Sequence, residues 1–228
     1  MKKLLLGIII PMFMNGQVGV QTSTPQRTLH VNGSLQITNE LNVGGDASNA
    51  GIAGGIDDVL VSNGAGVAPS WRPLSMVSGT VSAVYYIQGT SSLVVNQGVT
   101  SDVPGVSYTL VVPAGKTQTF LFSILGYAVR SVTASGQATQ GVFSLLQNGV
   151  KVSSAYVSSG DGGSLVNLPS PVTFLKSIVL TEGTYTFKVQ YSAWSGNQTV
   201  NFVPSSFAGY NGDTESMLTK MQIMVRND

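Results

Sequence analysis

The feature that most constrains this chain is a two-residue hydrophobic beat. Tyr185, Phe187, Val189 and Tyr191 alternate with Thr184, Thr186, Lys188 and Gln190, the period of a strand with one apolar and one polar face. Phe120, Phe122 and Ile124 alternate in the same way with Thr119, Leu121 and Ser123. From Met76 onward such runs recur about every ten residues, with Gly, Asn or Pro between them. Residues 142–146 and 150–152 flank Asn148-Gly149, whose tolerance of positive φ suits a type I′ hairpin turn. A second turn is expected at Glu182-Gly183, between strands over 174–180 and 184–191. Near the end, Met217, Met221, Ile223 and Val225 share one face while Leu218 and Met224 make the other apolar, as in a central strand. Eight to ten such strands with no helical pattern predict an all-β fold, a jelly-roll-like β-sandwich over residues 76–228.

A six-residue beat precedes this head. Leu29/Val31, Leu35/Ile37 and Leu41/Val43 open three successive hexads, each completed by polar or small residues. Each apolar pair falls on one face of a short strand, which predicts a β-stem over residues 17–43. A strand this short cannot bury its own pair, so neighbouring chains must wall it in, or else the segment is a hairpin packed on the downstream domain. His30 takes a polar slot in the first hexad and has no second His to pair with as a ligand or base. Residues 44–75, rich in Gly and Ala at first, read as a neck or linker. Asp57 and Asp58 are adjacent, so on a strand they diverge and make no carboxylate pair. Gly64-Ala-Gly66 lacks the third glycine and the βαβ setting of a dinucleotide loop.

The first residues carry two lysines and then an apolar stretch of about ten, too short to span a bilayer and ordered like a secretory signal. A signal peptide over residues 1–16 is expected, cut near Gly16 or Gln17. The mature chain is then exported, has no transmembrane segment, and carries a net charge of about −1. Only 9% of the 228 residues are charged, which excludes a nucleic-acid binder and a charge-driven disordered tail. Cys is absent, which excludes disulfides, thiol catalysis and a lipid-bearing N-terminal cysteine; a single His leaves no metal cluster and no cofactor to expect.

The segments Val18-Gly19-Val20, Thr22-Ser-Thr-Pro25, Leu29-His-Val-Asn-Gly-Ser-Leu-Gln-Ile37 and Val59-Leu-Val-Ser-Asn-Gly-Ala-Gly-Val-Ala-Pro-Ser-Trp71 resemble the N-terminal region of secreted Bacteroidetes surface proteins. They are also similar to phage tail-fibre stems, and the likeness covers about residues 17–73. In the head, Phe143-Ser-Leu-Leu-Gln-Asn-Gly-Val-Lys-Val152 and Leu180-Thr-Glu-Gly-Thr-Tyr-Thr-Phe-Lys-Val189 resemble the C1q/TNF-type jelly roll. The resemblance implies a homotrimer and an adhesive, non-enzymatic surface protein. A monomeric lectin-like module has the same strand grammar and is the alternative.

Four head residues are candidate ligand contacts. Trp194 stands near a strand end, where an aromatic ring either closes the core, its commoner role, or stacks on a sugar. Tyr210, Asp213 and Glu215 lie in a loop that combines an aromatic with two carboxylates. Such a loop reads either as an ordinary solvated turn or as a contact with a glycan or other cell-surface partner. Ser159-Gly-Asp161-Gly-Gly brings one carboxylate, fewer than a protein Ca²⁺ site needs. Two-carboxylate glycosidase chemistry needs a pair set about 5–10 Å apart, and the head offers only Asp102, Asp161, Glu182, Asp213, Glu215 and Asp228, mostly in apparent turns.

Overall fold

The structure is a computed structural model that describes residues 17–131, 138–160, 169–205 and 209–228. The expected signal peptide and Asp161 of the Gly-rich loop lie outside the described residues. The chain divides into two compact units. The first runs to Ile56 and takes in Leu60–Trp71; the second is Asp57–Val59 with Arg72–Asp228.

In the first unit, β1 (Val18–Val20) and β2 (Leu29–Val31) pair in parallel, each residue facing one eleven positions later. Backbone bonds from Val18 N–H to Thr28 O and from Asn32 N–H to Val20 O extend the pair by one residue at each end. Only the first hexad becomes a strand. Leu35 and Ile37 lie in unpaired chain, and Val43 makes an isolated antiparallel bridge to Ile52. The difference from the expected run of strands has a simple cause: a three-residue strand persists only where another backbone satisfies it, and within one chain β1 does so for one hexad. The Gly-rich residues fold back on this segment. Trp71 Nε1–H donates to the Leu41 carbonyl at 3.2 Å. Gly54 (φ +82) lies so close beneath the indole that a Cβ would sit 2.7 Å from it.

Two further strands, β3 (Asp58–Val61) and β4 (Ser70–Pro73), form a separate two-stranded sheet. A three-residue 3₁₀ turn at Leu74–Met76 follows.

The second unit is all-β, with β5 (Val81–Gln88), β6 (Leu93–Val95), β7 (Thr100–Arg130), β8 (Thr139–Gln147), β9 (Val150–Ser159), β10 (Ser170–Ser195), β11 (Gln198–Val200) and β12 (Lys220–Asn227). The strand order is β5-β12-β7-β10-β8-β9, with β11 joining β6 to the end of β7. Its backbone is an antiparallel ribbon of β7 and β10 that passes through two layers. The second half of β7 and first half of β10 join β12 and β5 in one layer; the first half of β7 and second half of β10 join β8 and β9 in the other. The result is a jelly-roll-like β-sandwich, as the alternation predicts. The layers meet through Phe122 and Phe187 (ring centroids 4.5 Å apart) and through Tyr85 and Tyr108 (4.9 Å). Phe143 lies against Gly126, where a Cβ would come within 2.8 Å of the ring.

The hairpin of β8 and β9 turns at Asn148 (φ 49) and Gly149 (φ 83), as expected. The last strand is central, between β5 and β7, with Met221, Ile223 and Val225 buried and Leu218 buried just before it. The expected turn at Glu182-Gly183 does not exist: β10 runs through it without reversing. Instead the register jumps, Thr181 facing Thr117 and Gly183 facing Val112, so residues 113–116 of β7 bulge opposite Glu182. The Glu182 carboxylate accepts the Gly115 N–H at 2.8 Å and holds this corner. Bending both strands together keeps the ladder satisfied, whereas a turn would leave half of β7 unpaired.

Buried polar groups pin the strand ends. Tyr191 donates its phenol proton to Gln198 Oε1, and Gln198 Nε2 reaches the carbonyls of Gln140 (2.9 Å) and Ser195 (3.4 Å). Burial raises the Tyr191 phenol well above its ordinary pKa, so it remains a donor. Asn201 (φ 53) donates to the Ser91 and Pro104 carbonyls and accepts the Thr219 N–H, tying three loops together.

Candidate functional site

Alternation along β10 sends Tyr185, Phe187, Val189, Tyr191 and Ala193 inward and Thr184, Thr186, Lys188, Gln190, Ser192 and Trp194 outward. The outward face of this layer is hydroxyl-rich. Thr109 and Thr186 share a hydrogen bond at 2.9 Å, and Thr100 and Ser192 another at 2.6 Å. Asp102 accepts from Lys188 Nζ at 2.8 Å and Gln190 Nε2 at 2.7 Å. Partial burial alone would raise the Asp102 pKa, but the bonds from Lys188 and Gln190 and the lysine's charge outweigh it, and the carboxyl stays below its ordinary value.

Trp194 stands on this face, 56% exposed. It does not close the core. Its ring neighbour is Tyr156 of β9, itself 51% exposed, with centroids 6.0 Å apart and planes inclined at 42°. Register places Val142 of β8 between Ser192 and Tyr156, and Val142 is buried although alternation puts it on the outward side. Ser154 and Ser158 flank Tyr156 in the same outward phase. Tyr156 was not a candidate from the sequence, although a tyrosine between two serines, alternating with Ala155 and Val157, already marks an outward ring.

Tyr210 and Asp213 do come together. They line a shallow depression of about 210 Å³ with Pro204, Gly209, Asn211 and Met217 among its other walls. Asp213 Oδ1 accepts the N–H groups of Glu215 (2.9 Å) and Ser216 (3.1 Å), which closes its own turn. Neither Glu215 nor Trp194 lines that depression. The other outward face, on the layer of β5 and β12, carries exposed apolar side chains among polar ones such as Ser123, Ser177 and Gln222. Val84, Tyr86, Leu121, Leu175 and Val179 are exposed there, and a groove of about 530 Å³ crosses Leu121, Leu175, Gln222 and Met224.

Four of the described head carboxylates are engaged locally. Asp102 has Lys188 and Gln190, Glu182 the Gly115 amide and Asp213 its turn; Asp228 takes Thr119 at 2.6 Å and Arg226 at 3.1 Å. Among the described residues no three His, Asp or Glu side chains gather as a metal site, and no helix is long and apolar enough to cross a membrane. In the first unit the hexad side chains Leu29, Leu35, Ile37 and Leu41 are 58%, 67%, 47% and 39% exposed, while Val31 and Val43 are half-buried.

No family model and no curated protein matches the chain. Among solved structures it is similar to dimeric latent PorU from Porphyromonas gingivalis, at 15% identity and a TM-score of 0.30 over 68% of this chain and 15% of that one. It is also similar to the protein of T=1 particles derived from infectious bursal virus, at 12% identity and a TM-score of 0.32 over 74% of this chain and 40% of that one. The chain thus spans well under half the length of the solved proteins it is set beside.

Proposed function

We propose that this chain is an exported, non-enzymatic, fibre-like surface protein of the Bacteroidetes type, a homotrimer joined through its stem that binds a cell-surface partner through its head. The observation that carries the reading is the exposure of Leu29, Leu35, Ile37 and Leu41 in one segment of a single chain. Burying such a side chain stabilises by about 1.5–3 kcal/mol, so leaving four in water forgoes a sum comparable to a domain's whole stability. The parallel pairing of β1 with β2 also suits a stem, since short strands stacked in one direction can continue onto a neighbouring chain. Closed cyclic symmetry is the ordinary way for identical apolar surfaces to satisfy one another.

Light scattering on the full chain tests this. Wild type is expected as a trimer, and Leu35→Asp with Ile37→Asp as single chains whose far-UV circular dichroism is unchanged. A doubly substituted protein that stays trimeric removes the stem from the account. Export is tested by intact mass: secreted protein that still begins at Met1 contradicts removal of the first 16 residues. A second reading, a monomeric lectin-like module, is favoured by the exposed pair Trp194 and Tyr156 and takes over if the wild type is a monomer.

A further inference from the structure

The hydroxyl-rich outward face ends in two aromatic rings that the core does not use. Trp194 and Tyr156 come from strands separated by β8, so their meeting is a property of the folded sheet and not of a local turn. An exposed indole beside an exposed phenol is an apolar surface with polar tips, the kind of surface that gains most from a flat ligand with one apolar side. Around it the partners are almost all neutral. Ser192, Thr100, Gln190, Ser154 and Ser158 offer hydroxyl and amide groups; Lys188 is tied to Asp102, and exposed Lys151 of β9 stands in the row of Lys188, five residues along its strand from Tyr156.

That chemistry selects among ligand classes. A polyanion needs a cluster of unpaired cations, whereas here Lys188 is neutralised by Asp102 and Lys151 is a single charge away from the rings. A lipid surface needs a broad apolar patch, and here serines flank the rings. A pyranose ring meets both conditions: its C–H face packs on the negative face of an aromatic ring, and its hydroxyls radiate at the edge, where they can donate and accept. From Trp194 back to Gln190 is four residues of strand, about 13 Å, long enough for a chain of sugars to follow the row Trp194, Ser192, Gln190.

We propose that this face binds a neutral polysaccharide, with a pyranose ring stacked on Trp194 and Tyr156 and the next sugars held by Ser192, Gln190 and Asp102. The proposal deepens the adhesion reading by naming the chemical class of the head's partner, and it rests on the head being the binding part.

The test is affinity electrophoresis of the full chain through gels that each contain one polysaccharide: a mixed-linkage β-glucan, a xylan, a galactomannan, and alginate as the acidic control. Wild type is expected to be retarded in at least one neutral gel, with the apparent Kd raised at least about tenfold in Trp194→Ala. Tyr156→Ala weakens binding less, Trp194→Phe retains part of it, and Tyr86→Ala, which removes an exposed tyrosine from the opposite layer, leaves it unchanged. Trp71→Phe makes Trp194 the sole tryptophan, and its emission is expected to shift to the blue with the retarding polysaccharide. Circular dichroism and a melting curve confirm that each variant is folded. No retardation in any neutral gel, retardation in alginate alone, or an unchanged Trp194→Ala overturns the proposal. The outcome is independent of assembly: a trimer that binds no glycan removes only this inference, and a monomer that binds through Trp194 removes only the fibre reading.

Discussion

Single side chains decide how firmly the sandwich is closed. Gln198 is fully buried and serves the Tyr191 phenol and two backbone carbonyls at once. Replacing it with Leu strands those groups, each at a cost of about 1–3 kcal/mol. Gln198→Leu is therefore expected to lose about 2–5 kcal/mol in urea titration, and Tyr191→Phe, which leaves only the amide oxygen short, about 1–2 kcal/mol. Equal losses would contradict the network. Asp102 makes a pH prediction. Its folded pKa is lowered, so the folded chain holds this proton less readily than the unfolded chain, and the stability it contributes is present above about pH 4 and lost as pH falls below it. Asp102→Asn cannot titrate, so its melting temperature should drop less than that of wild type between about pH 7 and pH 3. Trp194 shows what was legible at this scale. Its phase with Thr184, Thr186, Lys188, Gln190 and Ser192 places it outward, but only if the alternation is carried through to the strand's end. Read by its position near a turn, the same ring looks like a core plug. Its partner Tyr156 was hidden because they meet across β8, a neighbour relation that no local pattern encodes.

Among the elements, those with a local cause were readable. Asn148-Gly149 has the backbone angles its residues favour, and Asn148 Oδ1 also accepts the Thr186 N–H at 2.8 Å. Gly149→Ala places a side chain at φ +83 and is expected to cost about 1–2 kcal/mol, measured by chemical denaturation; no loss would mean that the turn adopts another form. The terminal strand was legible because both of its faces are apolar. The long ribbon was not. Pro104, Gly105, Pro113 and Gly115 look like breaks, yet all lie within β7. Among the described residues the first half of β7 pairs with β10 alone, so a proline there costs no second ladder. Both register shifts, opposite Glu182 and opposite Val189, absorb the irregular residues as bulges. Glu182-Gly183 has turn chemistry, but the pairing of both halves of β10 with β7 overrides it. The second and third hexads show the converse: their pattern is regular, but in one chain no strand pairs with Leu35 or Ile37.

At the scale of the whole molecule, the two units differ in how far their apolar side chains are covered. The head is closed around a continuous apolar core that includes Phe120, Phe122, Ile124, Phe143, Phe187, Tyr191 and Ile223, so it has what it needs to keep its fold when the stem is altered. The described residues of the first unit form no comparable core, and Leu29, Leu35, Ile37 and Leu41 are exposed. In the proposed trimer other copies of the chain supply the missing walls, and the proposed adhesion rests on that assembly more than on any one loop. Sedimentation equilibrium of the wild-type protein at micromolar concentration tests it most directly. The expected mass is three times that of one chain, and the same protein sedimenting as a single chain would contradict the account.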